Sequence, residues 1–275
     1  MLDIYIEQLS RSFSVVGIQS YLWFLLLAMV VFVPLEFFYA SKKHRWFRQE
    51  WGTDFLFFSG QFFFFNAISI AFLMVLSQFL ASFELQAFHQ QIASQPYWLQ
   101  VFEVVFLCDI GIYWGHRLSH RYNFLWRFHK VHHTSHRLDW MAAYREHPLD
   151  NIYTRTIENI PALLLGFPME TIAGFVFFRG LWGLFIHSNV NITLGPLGYI
   201  LGSPRLHHWH HDIHRNGSCN FANLSPLMDL IFGTYYDPGK EPETYGITER
   251  VNRSYWSQLI EPCLPSAVWN NKREE

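Results

Sequence analysis

The chain has 275 residues, of which 51% are hydrophobic, 19% aromatic and 15% charged, with a formal net charge of −2 and a pI of about 6.7. Soluble domains carry roughly 25% charged residues, so composition argues against an ordinary water-soluble globule, and the near-neutral balance implies no nucleic-acid partner. The three scattered cysteines, Cys108, Cys219 and Cys263, support neither a disulfide framework nor a Cys-x-x-Cys metal site.

In chain order, Asp3 and Glu7 stand where a cleavable signal would need basic residues, so none is expected. Three apolar stretches then follow, at about Tyr21–Ala40, Phe55–Leu80 and Tyr97–Trp114. Each approaches or exceeds the roughly 20 helical residues that cross a bilayer. A fourth, about Ile160–Ile186, is interrupted at Gly166-Phe167-Pro168-Met169-Glu170. The segment after the first span carries Lys42, Lys43, Arg45 and Arg48, whereas 81–96 contains no Lys or Arg. Arg117, Arg121, Arg127, Lys130 and Arg137 follow the third span. The positive-inside rule then puts 41–54 and everything after 115 in the cytoplasm, and 81–96 with the amino-terminal segment on the far side. Histidines before and after the fourth stretch are expected to meet, so the chain must cross an even number of times between them. A helical hairpin broken near Gly166 satisfies this. The expected fold is an all-α, integral-membrane, multi-pass helical bundle of about four membrane helices, one of them a broken hairpin, with a cytoplasmic His-rich helical cap. It divides into membrane-anchoring helices (1–96), a histidine-bearing domain (97–240) and a polar, loop-rich cytoplasmic tail (241–275).

Of 15 histidines, 13 lie between positions 116 and 214. His116 and His120 form H-x3-H; His129, His132 and His133 form H-x2-HH; His207, His210 and His211 repeat that spacing. Residues three and four apart share a helix face, so each cluster can aim its imidazoles at one point. Eight such residues would give two metals four nitrogens each. Imidazole suits iron, zinc, copper and nickel alike. A site against the membrane, reached by apolar helices, suits a lipid with unactivated C–H bonds. Breaking these requires redox chemistry with dioxygen, which zinc does not provide, so iron is expected. A membrane metal-transport protein is the alternative, and it would distribute its ligands along the spans. His44 and His89 stand apart from the clusters.

The order H-x3-H, H-x2-HH, H-x2-HH resembles the fatty acid hydroxylase/sterol desaturase superfamily of membrane di-iron oxygenases. Arg145-Glu146-His147-Pro148, His187-Ser188-Asn189, Asn220-Phe221-Ala222 and the Asp229–Tyr235 stretch extend the likeness over about residues 100–240; Met228 stands where the family has Trp. The resemblance implies an O2-dependent lipid hydroxylase or desaturase holding two iron ions. It makes His116, His120, His129, His132, His133, His207, His210 and His211 metal ligands, with His187 a ninth. No His-Pro-Gly-Gly haem-binding segment occurs, so an external electron donor, a separate electron-transfer protein, is expected.

Around that centre Asp109, on the same face as His116 and His120, reads either as an acceptor for a ligand histidine or as a helix-packing residue. Asn189, Asp212 and Asn220 are further hydrogen-bond candidates, while Asp229 is expected to hold the cap together. His136, His147, His208 and His214 are candidates for outer positions. Trp114, Trp126, Trp140, Trp182 and Tyr144 could line a lipid tunnel, although an interfacial aromatic belt is the simpler reading.

Overall fold

The computed structural model describes residues 1–43, 47–81, 86–192, 194–215 and 217–265. His44 and Arg45 of the basic connection lie outside the described residues, as do residues 82–85 and the last ten of the tail. Among the described residues all regular structure is helical, with no named strand and two isolated antiparallel bridges, Ala40–Val190 and Asp212–Tyr245.

An amphipathic α1 (Leu2–Ser12) precedes α2 (Val15–Phe38), which Ser14 caps by accepting from Gly17 N–H at 3.0 Å. The 24 residues of α2 reach about 36 Å at 1.5 Å each, enough for a hydrocarbon core of roughly 30 Å. Leu22, Trp23, Leu26, Val30 and Phe38 point outward from it. Such a surface would be costly in water and is favourable against lipid.

The second span is one 30-residue helix, Trp51–Leu80. It consists of α3 (Trp51–Gly60), a π-helical turn (Gln61–Phe65) and α4 (Asn66–Ala81). The π turn re-aims the buried Gln61 side chain, whose Nε2 donates to Glu146 at 3.3 Å. The connection expected over 81–96 contains a short helix, α5 (Gln86–Ala93). The third span, α6 (Tyr97–Arg121), is longer than expected and ends in His116 and His120. After a turn at Tyr122 it passes into α7 (Asn123–His133).

The hairpin is present, but its first arm begins earlier than expected, giving α8 (Pro148–Leu164) and α9 (Met169–His187). Asp150, Arg155 and Glu158 interrupt the apolar pattern of α8, so a reading based on apolar runs starts too late. The break sits at 165–168. Gly166 takes φ +73°, Gly166 N–H bonds Leu163 O at 3.1 Å, and Phe167 N–H bonds Ala162 O at 3.1 Å. This double closure ends a helix with glycine in the left-handed region, and Pro168 then caps α9.

The seam of α6, α8 and α9 holds the main core, with Val104, Cys108, Ile112, Ala162, Phe167 and Phe175. Gly111 allows the close approach of α6 to α8: a Cβ there would stand 2.6 Å from Ile157 O. The cap consists of α7, a 3-10 turn (Trp140–Tyr144), α10 (Pro204–His210), α11 (Leu227–Ile231) and the tail with α12 (Tyr255–Ile260). The tail packs onto the cap: Gln258 Nε2 donates to Thr134 Oγ1 at 2.9 Å, and Lys130 Nζ to Glu249 Oε2 at 2.8 Å.

Candidate metal centre

The ends of α6, α7, α9 and α10 converge, and they carry nine histidines into two groups. His116, His120, His129, His133 and His210 form one; His132, His187, His207 and His211 form the other. Within each group the candidate ligand atoms lie within 4.8 Å of one another. The adjacent pairs are divided: His132 and His211 serve the second group, His133 and His210 the first. Successive helix residues differ by about 100° in direction, so neighbours face different points.

What holds each ring is largely main chain. Nδ1–H of His116 donates to Phe221 O at 2.7 Å, of His210 to Cys219 O at 2.7 Å, of His132 to Arg145 O at 3.2 Å, and of His187 to Gly183 O at 2.8 Å. His129 Nδ1–H donates instead to a buried carboxylate, Asp150 Oδ2, at 2.9 Å. These bonds fix the tautomer and leave Nε2 as a lone-pair donor facing inward.

Donor chemistry fits a cation in both groups. In the first, Nε2 of His116, His120 and His210 is buried without a partner, a state costing about 1–3 kcal/mol per group. In the second, Nε2 atoms oppose one another: His132–His187 at 3.1 Å, His187–His207 at 2.9 Å and His207–His211 at 3.0 Å. His132 and His187 have already committed Nδ1–H, so their lone pairs face each other. Metal–nitrogen bonds of about 2.0–2.1 Å place neighbouring ligand nitrogens about 3.0–3.4 Å apart, so these spacings suit a shared ion. The imidazoles are also neutral, as ligation requires. Burial, then repulsion from His129, lowers His132 to about 4, and burial lowers His210 to about 3. His133, His207 and His211 are held well below the ordinary range by burial and by neighbouring imidazoles.

Three supporting acids or amides expected from the sequence contact backbone rather than these rings. Asp109 Oδ1 accepts from Leu224 N–H at 3.3 Å. Asn189 exchanges bonds of 2.9 and 2.8 Å with Lys42 main chain, joining the ends of α2 and α9. Asp212 Oδ2 accepts from His214 and Arg215 N–H at 3.1 and 3.0 Å, closing the turn after α10. His208 lies between Glu241 Oε2 (2.7 Å) and Ser188 O (3.1 Å), outside both groups. His147 caps α8, His136 contacts Arg253, and His214 is exposed.

Asn220 and Asp229 act one step back. Asn220, at φ +53°, donates through Nδ2 to Leu206 O and Tyr236 O, both at 2.8 Å. Asp229 accepts from Phe221 N–H, Ala222 N–H and Thr234 Oγ1 at 2.7–2.9 Å. Together they hold the loop whose carbonyls orient His116 and His210.

Asp150, Gly217 and an ion network were not singled out from the sequence. Gly217, at φ +64°, packs against His120 so closely that a Cβ would lie 2.1 Å from its ring. The fully buried Arg145 donates to Asp54 Oδ1, to Glu50 Oε2 at 2.8 Å and to Thr134 Oγ1 at 3.1 Å. Arg48 joins Asp54 as well, and grips Asp139 at 2.6 and 2.7 Å. This network locks the start of α3 to the segment carrying Arg145 O, hence to His132.

A cavity of about 100 Å3 touches both groups, through His116, His129, His132, His187 and His207. Glu146, Arg155, Glu158 and Arg179 also line it, with Tyr144 and Asn223. Glu146 accepts from Asn151 at 2.7 Å and Thr154 at 3.1 Å, and Glu158 pairs with Arg155 at 3.1 Å and Arg179 at 2.8 Å. Of the aromatic residues singled out, Trp126 lies tilted against His120 at 5.0 Å between ring centroids and Trp114 packs on Phe232. Trp182 belongs to the α6–α8–α9 core.

Residues 101–234 match the family model described as fatty acid hydroxylase. The chain is 34% identical over 170 residues to the ornithine lipid hydroxylase OlsE of Rhizobium tropici, covering 60% of this chain and 51% of that protein. It is 37% identical over 147 residues to the alkylglycerol monooxygenase of Homo sapiens, covering 52% and 32% respectively. A Delta(7)-sterol-C5(6)-desaturase of Nicotiana tabacum is 28% identical over 139 residues, 49% of each chain. The chain therefore spans about half the length, or less, of these curated relatives. No solved structure matches significantly.

Proposed function

We propose that this chain, whose residues 101–234 belong to the fatty acid hydroxylase family, is an integral-membrane oxidoreductase that uses dioxygen to hydroxylate or desaturate a lipid at a two-iron centre. The observation that carries the reading is the gathering of nine imidazoles into two adjoining groups, where the ends of the membrane-length helices α6 and α9 meet the short helices α7 and α10. A metal relay along the spans is disfavoured by the same gathering.

In this reading His116, His120, His129, His133 and His210 hold one ion, and His132, His187, His207 and His211 the other. Iron bound there would supply the reduction of dioxygen and the oxidising power to break an unactivated C–H bond. The protein's own part is orientation and exclusion. Backbone carbonyls and Asp150 keep the Nε2 lone pairs aimed inward, so little reorganisation accompanies ligation. Burial of the centre keeps bulk water from it. The adjoining cavity admits the reacting segment of a lipid, with Gly180 and Gly183 in its wall. Electrons come from a separate electron-transfer protein. The basic residues Lys42, Lys43 and Arg48 after α2, and those following α6, support a cytoplasmic histidine face by the positive-inside rule.

The test is paired. Protein purified under iron-replete, reducing conditions should hold about two irons per chain, the two-site arithmetic of the donor groups. Host lipids compared by mass spectrometry with and without the chain should gain one oxygen atom or lose two hydrogens. Reversible metal flux in liposomes, with no lipid product, would overturn the reading.

A further inference from the structure

A second cavity, of about 750 Å3, lies between α2, the start of α3 and the 137–141 segment. That volume is in the range of sites that bury a whole ligand, about 300–1,000 Å3. Its character changes along its length. Leu25, Leu26, Met29, Val30 and Val33 of α2, with Phe55 of α3, make an apolar trough. From Leu25 to Val33 it runs about 12 Å along the helix.

The other end is cationic. Lys42, Lys43, Arg48 and Arg137 line it against two carboxylates, Glu36 and Asp139, a formal excess of two positive charges. Both carboxylates are engaged. Glu36 Oε1 accepts from Trp140 N–H at 2.8 Å and Asn189 N–H at 3.0 Å, and Asp139 is gripped by Arg48. Lys42 Nζ donates to Glu243 O at 2.9 Å and rests 3.6 Å from the Tyr245 ring centroid. Among the described residues, Lys43 and Arg137 have no side-chain acceptor.

We propose that this cavity binds a phospholipid with a net anionic headgroup, its phosphate on Lys43 and Arg137 and an acyl chain in the α2 trough. Leu26 and Val30 already face lipid, so the trough sets where the acyl chain lies, and the two unspent cations at its mouth select the head. The 3-10 turn 140–144 separates this cavity from the histidine cavity: Trp140 and Met141 face the lipid, Ala143 and Tyr144 the metal centre. The bound lipid thus lies one short turn from the histidines without entering their cavity. The inference rests on the membrane reading and not on the oxygen chemistry, so the two fail separately.

The full chain in detergent would be titrated with dioleoylphosphatidylglycerol and dioleoylphosphatidylcholine and followed by native mass spectrometry. Preferential retention of the anionic lipid is expected. The double variant Lys43→Gln/Arg137→Gln should weaken its binding roughly 30-fold, from about 1 kcal/mol per cation, and weaken phosphatidylcholine, whose phosphate charge is balanced by choline, much less. Val33→Trp, which fills the trough, should weaken both lipids. Equal retention of the two lipids, an undiminished preference in the double variant, or indifference to Val33→Trp overturns the proposal.

Discussion

Asp150→Ala is the most informative single change near the histidines. Asp150 stands in the first turn of α8, where the helix N-terminus favours its negative charge. Its Oδ2 takes the Nδ1–H of His129 at 2.9 Å with both side chains almost fully buried. Alanine removes the acceptor and leaves a buried N–H unpaired, at about 1–3 kcal/mol. It also frees the ring to rotate Nε2 away from the group. Loss of such an outer partner usually weakens metal binding 10–100-fold, or about 1.4–2.7 kcal/mol. Four other donors of the first group remain, so binding should weaken and not vanish. Asp150→Asn retains an acceptor oxygen and should fall at the mild end, about tenfold. Competition of purified protein against a chromophoric Fe(II) chelator reads both. If Asp150→Ala binds iron as tightly as the parent, the carboxylate does not orient His129 and the reasoning fails.

His210→Ala leaves four donors in its group and should weaken binding of one iron, whereas His208→Ala should leave both unchanged, since His208 is committed to Glu241 and Ser188; equal effects in chelator competition would contradict the division. Gly217→Ala places a methyl group into the His120 ring at a left-handed backbone position, and should lower iron content while leaving the helical circular-dichroism signal intact. Arg145→Met leaves Asp54 and Glu50 short of a buried partner and should cost about 3–5 kcal/mol, read as a lowered unfolding midpoint in detergent. For metal-free protein, His132 and His210 titrate near 4 and 3 when folded and near 6.5 when unfolded. Below about pH 6.5 the unfolded chain takes up protons that the folded chain refuses, so stability should fall from there towards pH 4 and below. A midpoint that is flat or rises on acidification would refute that assignment.

The parts legible in the sequence were those carried by side-chain identity at fixed spacing. Apolar length announced the spans, Gly166-Phe167-Pro168 announced the break, and four-residue spacing paired His116 with His120, His129 with His133 and His207 with His211; the expectation that each cluster aims at one point fails, because His132 and His210 belong to the other group from their cluster mates. Asp109, on the face of His116 and His120, reads as either a ring acceptor or a helix-packing residue, and Asn189 and Asp212, polar and next to the clusters, read as ring partners. Their hydrogen bonds go to main chain instead. The groups that do hold the rings are mostly carbonyls, of Phe221, Cys219, Arg145 and Gly183, and a carbonyl has no letter of its own. Asp150 had one faint signal, an acid in the first turn of a helix opened by His147-Pro148. The first arm of the hairpin was obscured by the same Asp150, Arg155 and Glu158 that face the site.

The divided His-His pairs also bear on how the two sites respond to displacement. His132 and His133 lie 5.4 Å apart between ring centroids, and His210 and His211 lie 5.5 Å apart. Each pair shares one peptide unit while serving two groups, so α7 and α10 act as rulers that set the separation between the sites. A shift of either helix therefore moves a donor in both groups at once. A change that displaces α7 or α10 should lower the affinity of both sites together, whereas one confined to the end of α6 or α9 should act on one site alone.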